Sequence, residues 1–157
     1  MKLVKVGDPN DSILTEDLTL LPDCDPTNVR AYHAQMSQLC KQHGGIGLSA
    51  NQVGRHVKLF FVTAAAKVPS LSGGGLIINP KIVSVPDKPK RNSIEGCLSL
   101  PGKQFLVMRH ASITAEWQNV LGHSFKKVLN GTAAIVFQHE YDHLKGITLL
   151  QSAAREL

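Results

Sequence analysis

His139-Glu140-Tyr141-Asp142-His143 is the stretch on which the reading of this chain turns. On an α-helix, residues four apart lie one turn apart on the same face. His139 and His143 then offer two imidazoles to one point, separated by about 6 Å of helix rise. Glu140 sits beside His139, placed to handle the proton of a water held between them and a metal. This is the His-Glu-x-x-His pattern of mononuclear metallohydrolases. The flanks fit a helix: Asn130, Gly131 and Thr132 are start-type residues, and Gly146 follows Lys145 as a stop. Val136, His139, Glu140 and His143 keep the i, i+3, i+4, i+7 spacing, so the reactive face is also the inward face.

Two histidines satisfied by hydrogen bonds in a core helix would show the same spacing. A hydrolytic metal centre needs three protein ligands and an open position, so a third ligand has to come from elsewhere. In zinc proteases it normally lies downstream. Here the residues from 144 to 157 contain no further His, and their only carboxylate is Glu156, one residue from the end, where chains fray. Upstream, Cys97 lies between Gly96 and Leu98 in a stretch able to pass close to the helix. A thiolate is a strong ligand for zinc or iron(II), although a lone buried cysteine ordinarily only packs.

The remaining composition sets bounds. A chain of 157 residues with 43% hydrophobic and 18% charged content is expected to form a single globular domain over 1–157. No run of about 18 apolar residues is present, so no membrane span is expected, and residues 1–9 lack the apolar core of a signal peptide. Cys24, Cys40 and Cys97 are odd in number and irregularly spaced, which argues against a disulfide framework and for a reducing cytoplasm. The net charge of +5 is dispersed. Its densest cluster, Lys88-Pro89-Lys90-Arg91, reads as a solvated loop, so DNA binding is not expected.

Along the chain, residues 1–24 look irregular. Asp25-Pro26 reads as an N-cap followed by proline at the first helical position. Val29, Tyr32, His33, Met36, Leu39 and Cys40 then form an apolar helical stripe that Gly44-Gly45 ends. Residues 57–63 read as a strand, 64–75 as a loop, and 76–85 as a second strand interrupted at Asn79-Pro80. Strands follow at 112–117 and 123–129, joined near Gly122. After the reactive helix, residues 147–150 read as a short terminal strand. The expected fold is α+β: mainly antiparallel sheets packed around a central metal-binding helix, with an N-terminal helix.

Three motifs taken together carry a family resemblance. Gly45-Ile46-Gly47-Leu48-Ser49-Ala50-Asn51-Gln52 resembles motif one of the peptide deformylases, Gly-x-Gly-Leu-Ala-Ala-x-Gln. Glu95-Gly96-Cys97-Leu98-Ser99 matches their second motif, and Gln138-His139-Glu140-Tyr141-Asp142-His143 their third. The likeness is in family order, covers nearly the whole chain and extends to Ile78-Asn79-Pro80 and Arg109. Ser49 departs from it, standing where the family usually has Ala. Many deformylases also carry a C-terminal helix beyond the third motif. This sequence resembles the short forms, including some from phages.

The resemblance implies removal of the formyl group from the formyl-methionine of nascent polypeptides, with release of formate. It implies Cys97, His139 and His143 as ligands of one divalent metal ion, with Fe2+ the expected ion and Zn2+, Ni2+ or Co2+ as substitutes. Glu140 is then the proton shuttle, and the Gln52 amide and Leu98 backbone N–H stabilise the developing oxyanion. Gly45, Ile46, Gly47 and Ser99 are expected to bind the substrate backbone as an added strand, with Val136 and Ile46 at the methionine side chain. Asp142 and Arg109 are expected to pair, and Glu95 to be structural. A monomer in transient contact with the ribosome is expected.

Overall fold

The structure, a computed structural model, describes residues 1–22 and 26–157. The expected Asp25 cap and Cys24 lie outside the described residues. Helix α1 (Pro26–Gln42) buries Val29, Met36 and Cys40 in one stripe, with Tyr32 and Leu39 half-buried against the same core. His33 departs from the expected stripe: it is exposed, and its ring meets Phe61 in a T-shaped contact at a centroid distance of 5.5 Å. The helix ends where Gly44 turns to a φ of +67°, a left-handed conformation suited to glycine.

In chain order there follow β1 (Gly47–Ser49), β2 (Leu59–Thr63), β3 (Gly74–Ser84), β4 (Arg91–Cys97), β5 (Leu100–Arg109), β6 (Ser112–Gln118) and β7 (Ser124–Asn130). Helix α2 (Gly131–Leu144) and the short β8 (Arg155–Glu156) complete the chain. Five strands form one antiparallel sheet in the order β1-β2-β3-β6-β7, and three form another in the order β4-β5-β8. The architecture is α+β with antiparallel pairing, as expected.

Strand β2 is buried at Leu59, Phe60, Phe61 and Val62 alike. That continuous apolar run fits a strand covered on both faces. The interruption expected at Asn79-Pro80 is a bulge within β3: the register to β6 slips between Ile78 and Lys81, and Asn79 takes a φ of +49°. Its side-chain amide clamps Leu21, accepting from the Leu21 amide at 2.8 Å and donating to its carbonyl at 2.9 Å.

The expected terminal strand needs correction. Residues 147–150 do not form a strand. The Thr148 amide donates to Gln151 Oε1, the Leu150 amide to Thr148 Oγ1 and the Ser152 amide to the Thr148 carbonyl, closing a turn. Leu149 is buried all the same, in a small second core with Phe105 and Val107. The apolar run therefore reflects burial, not extension. The terminal strand is β8, on the edge of β5. Strands β4 and β5, for which the sequence carries no clear signal, form the hairpin that brings Cys97 inward.

Helix α2 is anchored by Phe137, fully buried and edge-on to Phe60 at 5.2 Å, with Trp117 tilted against it at 6.0 Å. His139 follows two residues later, so packing at Phe137 fixes the pitch of the reactive face. Phe137→Ala is expected to lower stability by about 3–5 kcal/mol through lost burial and a cavity. Thermal or urea unfolding of the purified variant checks this.

Candidate metal centre

Glu95 and Cys97 are two apart on β4, so both side chains point to the same, inner face of the hairpin. That face meets α2. Among the described residues, Cys97, His139 and His143 form a group whose ligand atoms all lie within 4.8 Å of one another. Cys97 Sγ is 3.2 Å from His143 Nε2, and the two imidazole rings are 5.0 Å apart between centroids. The one-turn separation inferred from the sequence thus converges on the thiol. Glu156, the downstream alternative, is exposed and paired with Lys103 at 2.9 Å.

A ring of charged side chains behind these ligands holds them in place. His139 Nδ1 is 2.9 Å from Glu95 Oε2, which leaves Nε2 free for a metal. Arg109, on β5, donates twice to Glu95, from Nε to Oε1 and from Nη2 to Oε2, both at 2.9 Å. Its Nη1 reaches Asp142 Oδ2 on α2 at 2.5 Å. The expected Asp142–Arg109 pair is therefore present. Glu95, expected to be structural, also orients a candidate ligand.

Burial opposes the charge on Glu95, but hydrogen bonds and charges from His139 and Arg109 outweigh it and bring its carboxyl to about 2. Burial likewise disfavours the Cys97 thiolate, yet His143 and His139 bring the thiol down to about 5. Burial disfavours a charged His139, but Cys97 and Glu95 raise it to about 10. In the metal-free centre these neighbours favour a thiolate at Cys97 and a proton on His139. A soft thiolate and two imidazoles, with no fourth ligand in the group among the described residues, form a donor set that fits a divalent metal with an open position.

Glu140 is almost wholly buried, and burial pushes its carboxyl up; the charges of His139 and His143 and the Ser49 hydroxyl oppose that rise. It borders a cavity of about 610 Å³ shared with Gly45, Ile46, Gly47, Val136, Leu98 and Gln52. A Cβ at Gly47 would collide with Glu140 Oε1, so only glycine leaves the carboxylate its place. Gln52 Nε2 points at the centre, 3.4 Å from Cys97 Sγ and 3.1 Å from Ser99 Oγ.

Ser99 is not on the cavity wall. It is buried, accepts from Gln52 and donates to the Val4 carbonyl at 2.7 Å. The facing wall is formed instead by Leu100, Pro101 and Gly102. The N-terminal segment, irregular by its sequence, braces the site. The Val4 amide donates to the Gln52 carbonyl at 2.7 Å and the Val6 amide to the Ser99 carbonyl at 3.0 Å, while Leu3 and Lys5 reach the cavity. Nothing local in residues 1–6 signals this, because the partners are distant in sequence.

A cavity bordered by a buried carboxylate beside a Cys-His-His group able to hold a metal suits a mononuclear metallohydrolase. Residues 1–156 match the family model described as polypeptide deformylase, and the chain belongs to that family. It is 34% identical over 154 residues to a peptide deformylase of Carboxydothermus hydrogenoformans, covering 97% of this chain and 92% of that one. The crystal structure of the Thermotoga maritima peptide deformylase superposes with a TM-score of 0.85 at 29% identity, covering 96% of this chain and 95% of that one. A deformylase of the Vibrio parahaemolyticus bacteriophage VP16T, solved with actinonin, gives a TM-score of 0.81 at 30% identity, covering 94% of this chain and 99% of that one.

The Glu95 network has a pH signature. Its folded pKa, about 2, lies below the usual value of about 4.3 for an unfolded glutamate. Its contribution to stability is therefore complete above about pH 4.3 and is lost as pH falls towards about 2. Glu95→Gln should flatten the acid limb of a stability-versus-pH curve between those values. It should also weaken metal affinity by about 10- to 100-fold through the loosened His139, as read by competition with a chromophoric chelator.

Proposed function

We propose that Cys97, His139 and His143 hold one divalent metal ion, and that Glu140, Gln52 and Leu98 carry out deformylation around it. The family's reaction is metal-dependent hydrolysis of the N-formyl group of nascent polypeptides, releasing formate. When bound, the ion acidifies water and polarises the formyl oxygen. The observation that carries the reading is the buried Glu140 carboxylate bordering the same cavity as Cys97 and His139, two of the three residues whose ligand atoms converge.

Glu140 accepts the proton of the attacking water and later returns it to the amine nitrogen that leaves. Gln52 Nε2 and the Leu98 backbone N–H donate to the oxygen that gains charge as the formyl carbon becomes tetrahedral. The substrate backbone lies extended between residues 45–47 and 100–102, as a strand added at a sheet edge. Ile46, 42% exposed, offers its apolar surface to that groove, and with Val136 it receives the methionine side chain. Ser99 supports Gln52 from behind.

The thiolate favours softer ions, and Fe2+ is the native ion in this reading, with Zn2+, Ni2+ or Co2+ able to replace it. Metal analysis after anaerobic purification, paired with activity, tests that choice. We further place the protein in the cytoplasm as a monomer that meets the ribosome transiently and in a salt-sensitive way. No helix among the described residues is long and apolar enough to cross a membrane.

Formate release from a formyl-Met peptide is the direct test of the activity. Glu140→Gln should keep the fold and the metal while losing about 100-fold or more in kcat; turnover near that of the parent would refute the shuttle.

The apolar groove should favour formyl-Met over formyl-Gly peptides by a few kcal/mol, roughly 10- to 200-fold in kcat/KM. Equal kcat/KM values for the two peptides would refute the assignment of Ile46 and Val136.

A further inference from the structure

Ser49 is fully buried at the end of β1, and its hydroxyl crosses to α2. Its Oγ is 2.6 Å from Glu140 Oε2 and 3.1 Å from the Glu140 carbonyl oxygen. A hydroxyl has one proton to give, and the shorter contact, to a carboxylate, is the stronger acceptor. Among the described residues no other group hydrogen-bonds to the Glu140 carboxylate. The opposite oxygen, Oε1, lies over Gly47, where a Cβ would strike it. The carboxylate is therefore held at one oxygen by Ser49 and given room at the other by Gly47.

This arrangement matters because the last torsion of a glutamate is broad and weakly preferred by itself. A carboxylate without a partner samples several orientations, and only some present an oxygen to a water at the centre. The resembling motif usually has alanine at this position, which has no hydroxyl to offer. The Ser49 main chain plays a separate part, its amide donating to Gln52 Oε1 at 2.9 Å. A change of side chain alone leaves that bond in place, so the two roles can be separated.

We propose that Ser49 is a positioning residue for the proton shuttle, its hydroxyl locking Glu140 Oε2 so that Oε1 faces the attacking water. The proposal rests on Glu140 being the shuttle. The effect belongs in kcat, since Ser49 does not border the substrate cavity, and Gln52 keeps its backbone anchor.

The test is a double-mutant cycle on metal-loaded enzyme with matched metal content. Ser49→Ala should lower kcat by about 10-fold, the scale of a hydrogen bond to a charged group, with KM changed less than about twofold. Ser49→Thr, which keeps the hydroxyl, should restore most of that loss. In a Glu140→Gln background, Ser49→Ala should add less than about twofold, because the group it acts through is already disabled. A Ser49→Ala enzyme with the parent kcat overturns the proposal, as does a full 10-fold further loss in the Glu140→Gln background. If Ser49→Ala does not fold, the comparison of Ser49→Thr with Ser49→Val decides, since the two differ by the hydroxyl: equal kcat values overturn the proposal, and a loss confined to valine supports it. A Glu140→Gln enzyme as active as the parent would instead remove the shuttle itself, and the Ser49 role with it.

Discussion

Arg109 is the constraint on which the rest of this structure depends. The candidate ligand atoms come from a strand and a helix, Cys97 and His143 lying 46 residues apart, and nothing in either element alone brings them together. Arg109, on a third element, bonds Glu95 of β4 through two nitrogens and Asp142 of α2 through a third. The planar guanidinium fork sets angles as well as distances, so the hairpin and the helix are held in one orientation. Glu95 passes that orientation to His139. The Arg109–Glu95 half is sheltered from water, Arg109 being 7% exposed and Glu95 8%, while Asp142 is half-buried. Removing either partner would strand a buried charge, which costs far more than a surface pair contributes. The network is therefore a better guarantee of geometry than of stability.

The three sequence motifs are also bonded to one another, and the bonds run through residues that look minor in the sequence. Gln52 of the first reaches Cys97 and Ser99 of the second. Ser49 of the first reaches Glu140 of the third. Asn51 Nδ2 donates to the His143 carbonyl at 2.7 Å, fixing the last turn of α2. A polar residue buried among these has few alternatives, because each donor or acceptor left unpaired would cost more than its bond contributes. The small residues between them serve approach: at Gly45 a Cβ would lie 2.8 Å from Leu98 Cδ1, so a side chain there would require the Leu98 side chain to shift.

Much of this is legible in the sequence, and what is not has physical reasons. The reactive helix is plain because ligand spacing and helical periodicity coincide at His139 and His143. Cys97 becomes a ligand candidate only because the helix lacks a third. Strands β4 and β5 are obscure for the same reason that they matter. Their inward positions include Glu95, Cys97 and Arg109, so the apolar alternation that betrays a strand is broken by the chemistry. Pro101 and Gly102 at the start of β5 look like a loop. Residues 147–150 mislead in the opposite direction, because burial of Leu149 in the second core makes a turn look like a strand. Ser99 reads as part of the groove because side-chain direction beyond a hairpin cannot be read from neighbours alone. Its hydroxyl turns inward to serve Gln52 and Val4.

The electrostatics of the centre point to why this donor set suits a dication. In the metal-free chain the thiolate of Cys97 leans on a proton that His139 holds well above the usual histidine range. A divalent ion in place of that proton would keep the thiolate satisfied and leave His139 Nε2 able to ligate, so its uptake would release a proton. Such an exchange would also act on Glu140. Burial pushes its carboxyl towards the neutral form, in which it cannot accept a proton. A nearby dication adds positive charge beyond what the proton supplied and favours the carboxylate. In the proposed mechanism a bound ion would thus both acidify water and favour the ionised form of the buried Glu140.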